Sequence, residues 1–194
     1  MRIAIALFED AEELDWAGPW EVLATWAQHW PGDGVEVVTV AETLDPVRCA
    51  KGLRVLPDRG WDQLGEIDVL VYPGGQGTRP QLGEERIRER LRSLHAAGVL
   101  MTSVCTGALV FADAGLLDGR PATTHWASLD LLATLADGID VRGDVRFVDD
   151  GEIVTAAGVS AGIDVALHLV ARLHSPQRAA EVRREIQYQP ELPA

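Results

Sequence analysis

Cysteine is scarce in this chain of 194 residues, with only Cys49 and Cys105 present. Two cysteines without paired spacing exclude a disulfide framework and a thiolate zinc site. The five histidines are scattered singly and no HExxH segment occurs, so no protein-built metal centre is legible. Positive charge is also in short supply. Seventeen Lys and Arg face thirty Asp and Glu, a formal net charge of -13, which works against a nucleic-acid partner that needs basic stripes to meet phosphate. Long apolar runs are missing too. The most apolar stretch, Val99 to Ala112, is interrupted by Thr, Ser and Gly and is shorter than a bilayer span. The N-terminal run Ile3 to Phe8 is too short for a secretory signal and has no small-residue cleavage site. These absences predict a cytoplasmic protein with no membrane partner.

What is present is an ordinary globular composition, 47% hydrophobic against 24% charged, at a length suited to one α/β domain spanning residues 1–194. Strand-like and helix-like periods alternate along it. Apolar runs at Ile3–Phe8, Val35–Ala41, Ile67–Tyr72 and Val99–Val104 predict strands, with an extended excursion over residues 47–57. Trp20, Leu23, Trp26 and Trp30 share one face of a helix predicted over Trp16–Trp30, a stripe that reads as core or interface packing rather than a cofactor box. Residues 80–97 form a charged amphipathic helix with Glu/Arg pairs at helical spacing. Thr106–Ala112 and Trp126–Leu135 are further helices, and Ala122–His125 is a short strand. An Asp-Gly turn joins Val145–Val148 to Ile153–Ala156 as a hairpin. Ser160 opens a helix to about Leu173, and Ser175-Pro176 opens the last one as N-cap and first helical residue. Repeated β-then-α units of this length predict a mostly parallel sheet with helices on both faces.

Cys105 stands where a buried strand gives way to a helix, a sharp turn of the nucleophile-elbow type. The amides and positive dipole end of the following helix favour thiolate over thiol there. The plainer reading is a small buried hydrophobe, and position alone does not choose between them. In an open parallel sheet, sites form at the carboxyl ends of strands, and three features of the sequence fall there. Cys105 ends one strand. Gly74-Gly75 ends another, where missing side chains let backbone N–H groups approach a ligand. Asp15 follows the first. An Asp ahead of a helix is commonly its N-cap, but Pro19 fits the first helical position with Gly18 as cap. Asp15 then precedes the helix and is free to project into the sheet-end crevice, where a partly apolar pocket raises its pKa and lets it exchange protons near neutrality. Thr106, not histidine, follows the cysteine, which departs from a Cys-His dyad. His125 reads as a structural histidine. Gly74 to Thr78 carries neither a Walker lysine nor Rossmann spacing.

Six segments carry a family resemblance: Leu14-Asp15-Trp16-Ala17-Gly18-Pro19, Tyr72-Pro73-Gly74-Gly75-Gln76-Gly77, Thr102-Ser103-Val104-Cys105-Thr106-Gly107, Ala114-Gly115-Leu116-Leu117, Ala122-Thr123-Thr124-His125-Trp126 and Ser160-Ala161-Gly162-Ile163-Asp164. In this order they resemble the ThiJ/PfpI superfamily and, within it, the isocyanide (isonitrile) hydratases. The resemblance implies a flavodoxin-like three-layer sandwich, Cys105 as nucleophile, Asp15 as acid/base group, and polar donors around Gly74, Gly75 and Thr106. It further implies a small-molecule substrate, no cofactor or metal, and a homodimer. The activity implied is hydration of isocyanides to N-substituted formamides through a covalent thioimidate. Similar Ser-Val-Cys-Thr-Gly and Thr-Thr-His-Trp segments occur in the ligand-binding halves of AraC-type regulators. The chain carries no helix-turn-helix before Ala194, which points to a stand-alone protein. A redox or small-ligand sensor and another carbonyl- or imine-directed hydrolase are the competing functions. Ala156-Ala157-Gly158 is poorer in glycine than hydratase-like sequences, and its two methyl groups bear on pocket width or helix stiffness.

Overall fold

The computed structural model describes residues 1–190. The single domain expected over residues 1–194 includes 191–194, which lie outside the described residues. In chain order the elements are β1 (Arg2–Ala6), α1 (Glu13–His29), β2 (Glu36–Ala41), β3 (Val47–Arg48), β4 (Arg54–Val55), β5 (Arg59–Gly60) and β6 (Val69–Tyr72). There follow α2 (Glu85–Ala96), β7 (Leu100–Val104), α3 (Gly107–Asp113), β8 (Pro121–Ala122), α4 (Leu129–Leu135), β9 (Asp140–Val141), β10 (Phe147–Asp149), β11 (Ile153–Ala156), α5 (Ala161–Leu173) and α6 (Pro176–Glu185).

Seven strands form the central sheet in the order β10-β11-β7-β6-β1-β2-β5. Every pairing in it is parallel except that of β10 with β11, the predicted hairpin. The two-residue side-chain period divides the core into two layers. Ile3, Ile5, Val69, Val71 and Val104 pack with residues of α1, α5 and α6 on one face. Ala4, Ala6, Leu70, Tyr72 and Met101 pack with residues of α2, α3 and α4 on the other. This is the expected three-layer α/β arrangement. Among the described residues no helix is long and apolar enough to cross a membrane.

Register fixes where chemistry can occur. Tyr72 of β6 pairs with Ser103 of β7, and Ala156 of β11 pairs with Val104, so three adjacent strands end at one level. Cys105 is the next residue beyond that edge. Ser175 caps α6 as expected, its hydroxyl accepting from the Arg178 N–H at 3.1 Å.

Three expectations need correction. First, α1 begins at Glu13 rather than near Pro19, which lies inside the helix. Proline lacks an N–H for the helical ladder, so its best helix position is the start. Here packing overrides that preference. A Cβ on Gly162 would lie 3.1 Å from the Pro19 ring, and one on Gly18 would lie 3.1 Å from Ile163, so Gly18-Pro19 is where α1 crosses α5 closely. Second, only Ala122 of the segment Ala122–His125 is ladder-paired, and with Pro121 it joins β9 in a separate two-stranded sheet. Third, the helix expected over 80–97 starts at Glu85, preceded by a 3-10 stretch from Gln76 to Gln81.

Candidate active site

The elbow is built from backbone conflicts that only this arrangement resolves. Cys105 has φ 56°, in the left-handed region that side chains rarely occupy. Both of its backbone groups are tied down. Its N–H is shared between the Ala156 and Ala157 carbonyls at 3.0 and 2.9 Å, and its carbonyl accepts from Thr124 Oγ1 at 2.7 Å. A Cβ on Gly74 would lie 2.4 Å from the Thr106 nitrogen and 2.8 Å from the Cys105 Cβ, so the β6 loop can press against the elbow only with glycine there.

The same loop holds Asp15. Ala11 bridges to Gly75, and the Glu12 N–H donates to the Gly74 carbonyl at 2.9 Å, which pins the start of α1 against the end of β6. Asp15 lies in the first turn of α1, not ahead of it, and is fully buried. Its Oδ2 accepts from the Gly74 N–H at 3.0 Å, while Oδ1 has no hydrogen-bonding partner. The thiol of Cys105, itself 6% exposed, lies close enough for each group to perturb the other, without completing a well-aligned hydrogen bond to Oδ1.

Burial dominates the electrostatics of both groups. It pushes Asp15 from an ordinary 3.8 up to about 7, against the opposing pull of the Gly74 amide. Burial, followed by the negative charge of Asp15, pushes the Cys105 thiol up to about 12. The Thr106 and Val159 amides pull it the other way and are outweighed. The expected stabilisation of a resting thiolate by helix-end amides is thus reversed by desolvation. Near neutrality Cys105 holds its proton, and Asp15 is balanced between carboxyl and carboxylate.

Structure therefore brings Cys105, Asp15, Gly74, Gly75 and Thr106 together, with altered roles for the glycines. Their amides were expected to face a ligand. Instead Gly74 N–H is engaged by Asp15, and Gly75 N–H donates to Thr106 Oγ1 at 2.9 Å. The amides that act on the sulfur are those of Thr106 and Val159, which pull the thiol pKa down. Val159 was not anticipated. It is a β-branched residue at φ 47°, a strained conformation close to the Cys105 thiol. Its proximity to Ala156-Ala157-Gly158, the segment noted for its low glycine content, is the only hint the sequence offers. Gly158 packs closely on His125: a Cβ there would lie 2.4 Å from the imidazole, which would have to shift.

Comparison with known proteins places the chain in a family. The profile of the DJ-1/PfpI family matches residues 1–172. An isonitrile hydratase of Pseudomonas putida is 39% identical over 193 residues, covering 100% of this chain and 81% of the relative. The HTH-type transcriptional regulator CdhR of Pseudomonas aeruginosa is 35% identical over 144 residues, 72% of this chain but 41% of that protein. A ThiJ/PfpI family protein from Pseudomonas syringae superposes with a TM-score of 0.88 at 30% identity, covering 100% of this chain and 77% of that one. With a family match over residues 1–172 and a 39% identical relative aligned along the whole chain, this chain belongs to the DJ-1/PfpI family.

Proposed function

We propose that the protein hydrates isocyanides to N-substituted formamides, with Cys105 as nucleophile and Asp15 as proton carrier. The observation that carries this reading is the buried pair itself: a thiol that keeps its proton beside a carboxyl poised near neutrality, with no imidazole between them. Such a pair suits a substrate that must receive a proton and a nucleophile at one atom. The terminal carbon of an isocyanide is that substrate, because it is both a proton acceptor and, once protonated, an electrophile.

With Asp15 ionised, the thiol proton passes through the carboxylate to the isocyanide carbon as sulfur bonds to the same carbon. One S–H bond breaks, and one C–H and one C–S bond form, giving a thioimidate. Water then adds to the imidate carbon with Asp15 taking its proton. Nitrogen is protonated, the C–S bond breaks, sulfur recovers a proton, and formamide leaves. Covalent catalysis here replaces one difficult hydration by two easier steps. The Thr106 and Val159 amides, which favour the thiolate, stabilise charge as it develops on sulfur. The identity to the Pseudomonas putida isonitrile hydratase supports the reading.

The raised thiol weighs against the sensor alternative, since peroxide attacks thiolate rather than thiol. The protein works as a homodimer. A groove of about 830 Å³ along the outer side of α1, lined by Trp16, Trp20, Ala24, Val37, Val55 and Leu56, is the surface we assign to the partner copy. Trp20 is 40% exposed and Leu56 66% exposed there. Trp20 thus leaves the core stripe while Leu23 and Trp26 stay in it. Isocyanide turnover by the purified protein, compared with Cys105→Ala, tests the activity.

A further inference from the structure

We propose that Arg79 is a specificity-determining residue that recognises a carboxylate carried by the substrate of Cys105, at the end away from the reacting group. The inference rests on the reading of Cys105 as the reacting residue and adds a substrate class to it. Arg79 belongs to the 3-10 stretch that follows the Gly74-Gly75 loop. Its Nη1 donates to Thr78 Oγ1 at 2.8 Å, and Thr78 Oγ1 lies 3.2 Å from Thr106 Oγ1. Only the Thr78 hydroxyl therefore stands between the guanidinium and Thr106, the residue next to the cysteine. Its Nη2 donates to Ser128 Oγ at 3.3 Å. The Ser128 N–H donates to the His125 carbonyl at 2.8 Å, and His125 packs against Gly158, which precedes Val159, whose amide acts on the sulfur. Arg79 thus links two sides of the site, with its side chain half-buried between them.

Its charge is uncompensated. Acidic residues outnumber basic ones, and other half-buried arginines hold carboxylates: Arg88 with Asp113, Arg120 with Asp150, Arg178 with Asp33. Arg79 has no carboxylate within ion-pair distance among the described residues and is held by hydroxyls alone. A guanidinium carries five N–H donors, and two are committed here, so the group retains the fork that matches a carboxylate. Asp15 repels an anion placed directly at the sulfur. The two charges together therefore select a molecule whose isocyanide and carboxylate are separated by a spacer.

The test compares 4-isocyanobenzoate with its neutral counterpart 4-isocyanobenzamide. Arg79→Gln is expected to lower kcat/KM for the carboxylate about tenfold or more, mainly through KM, and to change the amide by less than about twofold. Arg79→Lys should recover part of the loss. A parallel arm needs no isocyanide turnover: alkylation of Cys105 by 4-(chloromethyl)benzoate and by 4-(chloromethyl)benzamide, read by mass on the Cys105 peptide. The carboxylate-to-amide rate ratio should fall in Arg79→Gln and partly return in Arg79→Lys, with thermal melting unchanged. A fall in that ratio without turnover of either isocyanide would uphold Arg79 and sink the hydratase reading. Unchanged ratios in both arms, or equal losses on both probes, would overturn the role of Arg79.

Discussion

The Gly74 amide donates to Asp15 Oδ2 at 3.0 Å across 59 residues of sequence, joining the end of β6 to the first turn of α1. That contact holds the carboxyl beside the Cys105 thiol and leaves its other oxygen unpartnered in a buried site. Pre-organisation of this kind costs stability, and the cost is measurable.

Asp15→Asn keeps an acceptor for the Gly74 N–H but cannot ionise. In the wild type the folded-state pKa is about 7 against an ordinary 3.8, so between those values the native state binds more protons than the unfolded chain. Wild-type stability therefore falls, through this group, as pH rises from about 4 to about 7. The variant should gain on the order of 2–4 kcal/mol over the wild type between pH 4 and pH 8. Urea unfolding at the two values checks this, and parallel wild-type and variant curves would reject the raised pKa.

Gly74→Ala places a methyl group 2.4 Å from the Thr106 backbone nitrogen, where no flexible side chain can give way. We expect destabilisation of about 2 kcal/mol or more together with loss of activity. Gly32→Ala, which meets nothing within 4 Å, serves as the control and should stay within about 0.5 kcal/mol. Equal melting temperatures for the two variants would contradict the close approach of loop and elbow.

How much of this was legible in the sequence depends on which interactions are local. The strands, the hairpin at Asp149–Glu152 and the Ser175 cap follow from period and turn chemistry, which short segments carry by themselves. The order of β6, β7 and β11, which sets Gly74, Cys105 and Ala156 side by side, follows from sheet rules only in outline. Asp15 reads from the sequence as a candidate site residue, and the structure sets it beside Cys105, yet its place inside α1 is not legible there. Pro19 reads locally as a helix start, and only its packing on Gly162 of α5 reverses that. The high thiol pKa was equally hidden, because it comes from burial that no residue spacing encodes. Val159 at φ 47° is a tertiary strain with no signature at all in its own residue type.

The groove along α1 predicts its own perturbation. Trp20→Glu puts a charge into a largely apolar surface, and sedimentation should show the dimer shifting toward monomer at micromolar concentration. A wild-type protein that sediments as a monomer throughout would remove the dimer proposal.

Activity should follow a single ionisation of the pair. With Cys105 protonated well above neutrality, the working form needs Asp15 ionised, so kcat/KM should rise as pH passes through about 7 and then level. Asp15→Asn should lower the rate by about 10² to 10⁴ and abolish the inflection. A profile that falls over this range would mean that the protonated carboxyl is the working form.

The most direct test of the central claim is formamide production from an aryl isocyanide, followed by chromatography and by the intact mass of the protein during turnover. The account predicts steady formamide release by the wild type, with a transient adduct equal to enzyme plus isocyanide on the Cys105 peptide. Cys105→Ala, folded to the same melting temperature, should show neither. Formamide produced equally well by Cys105→Ala, or no product from the wild type across alkyl and aryl isocyanides, would contradict it.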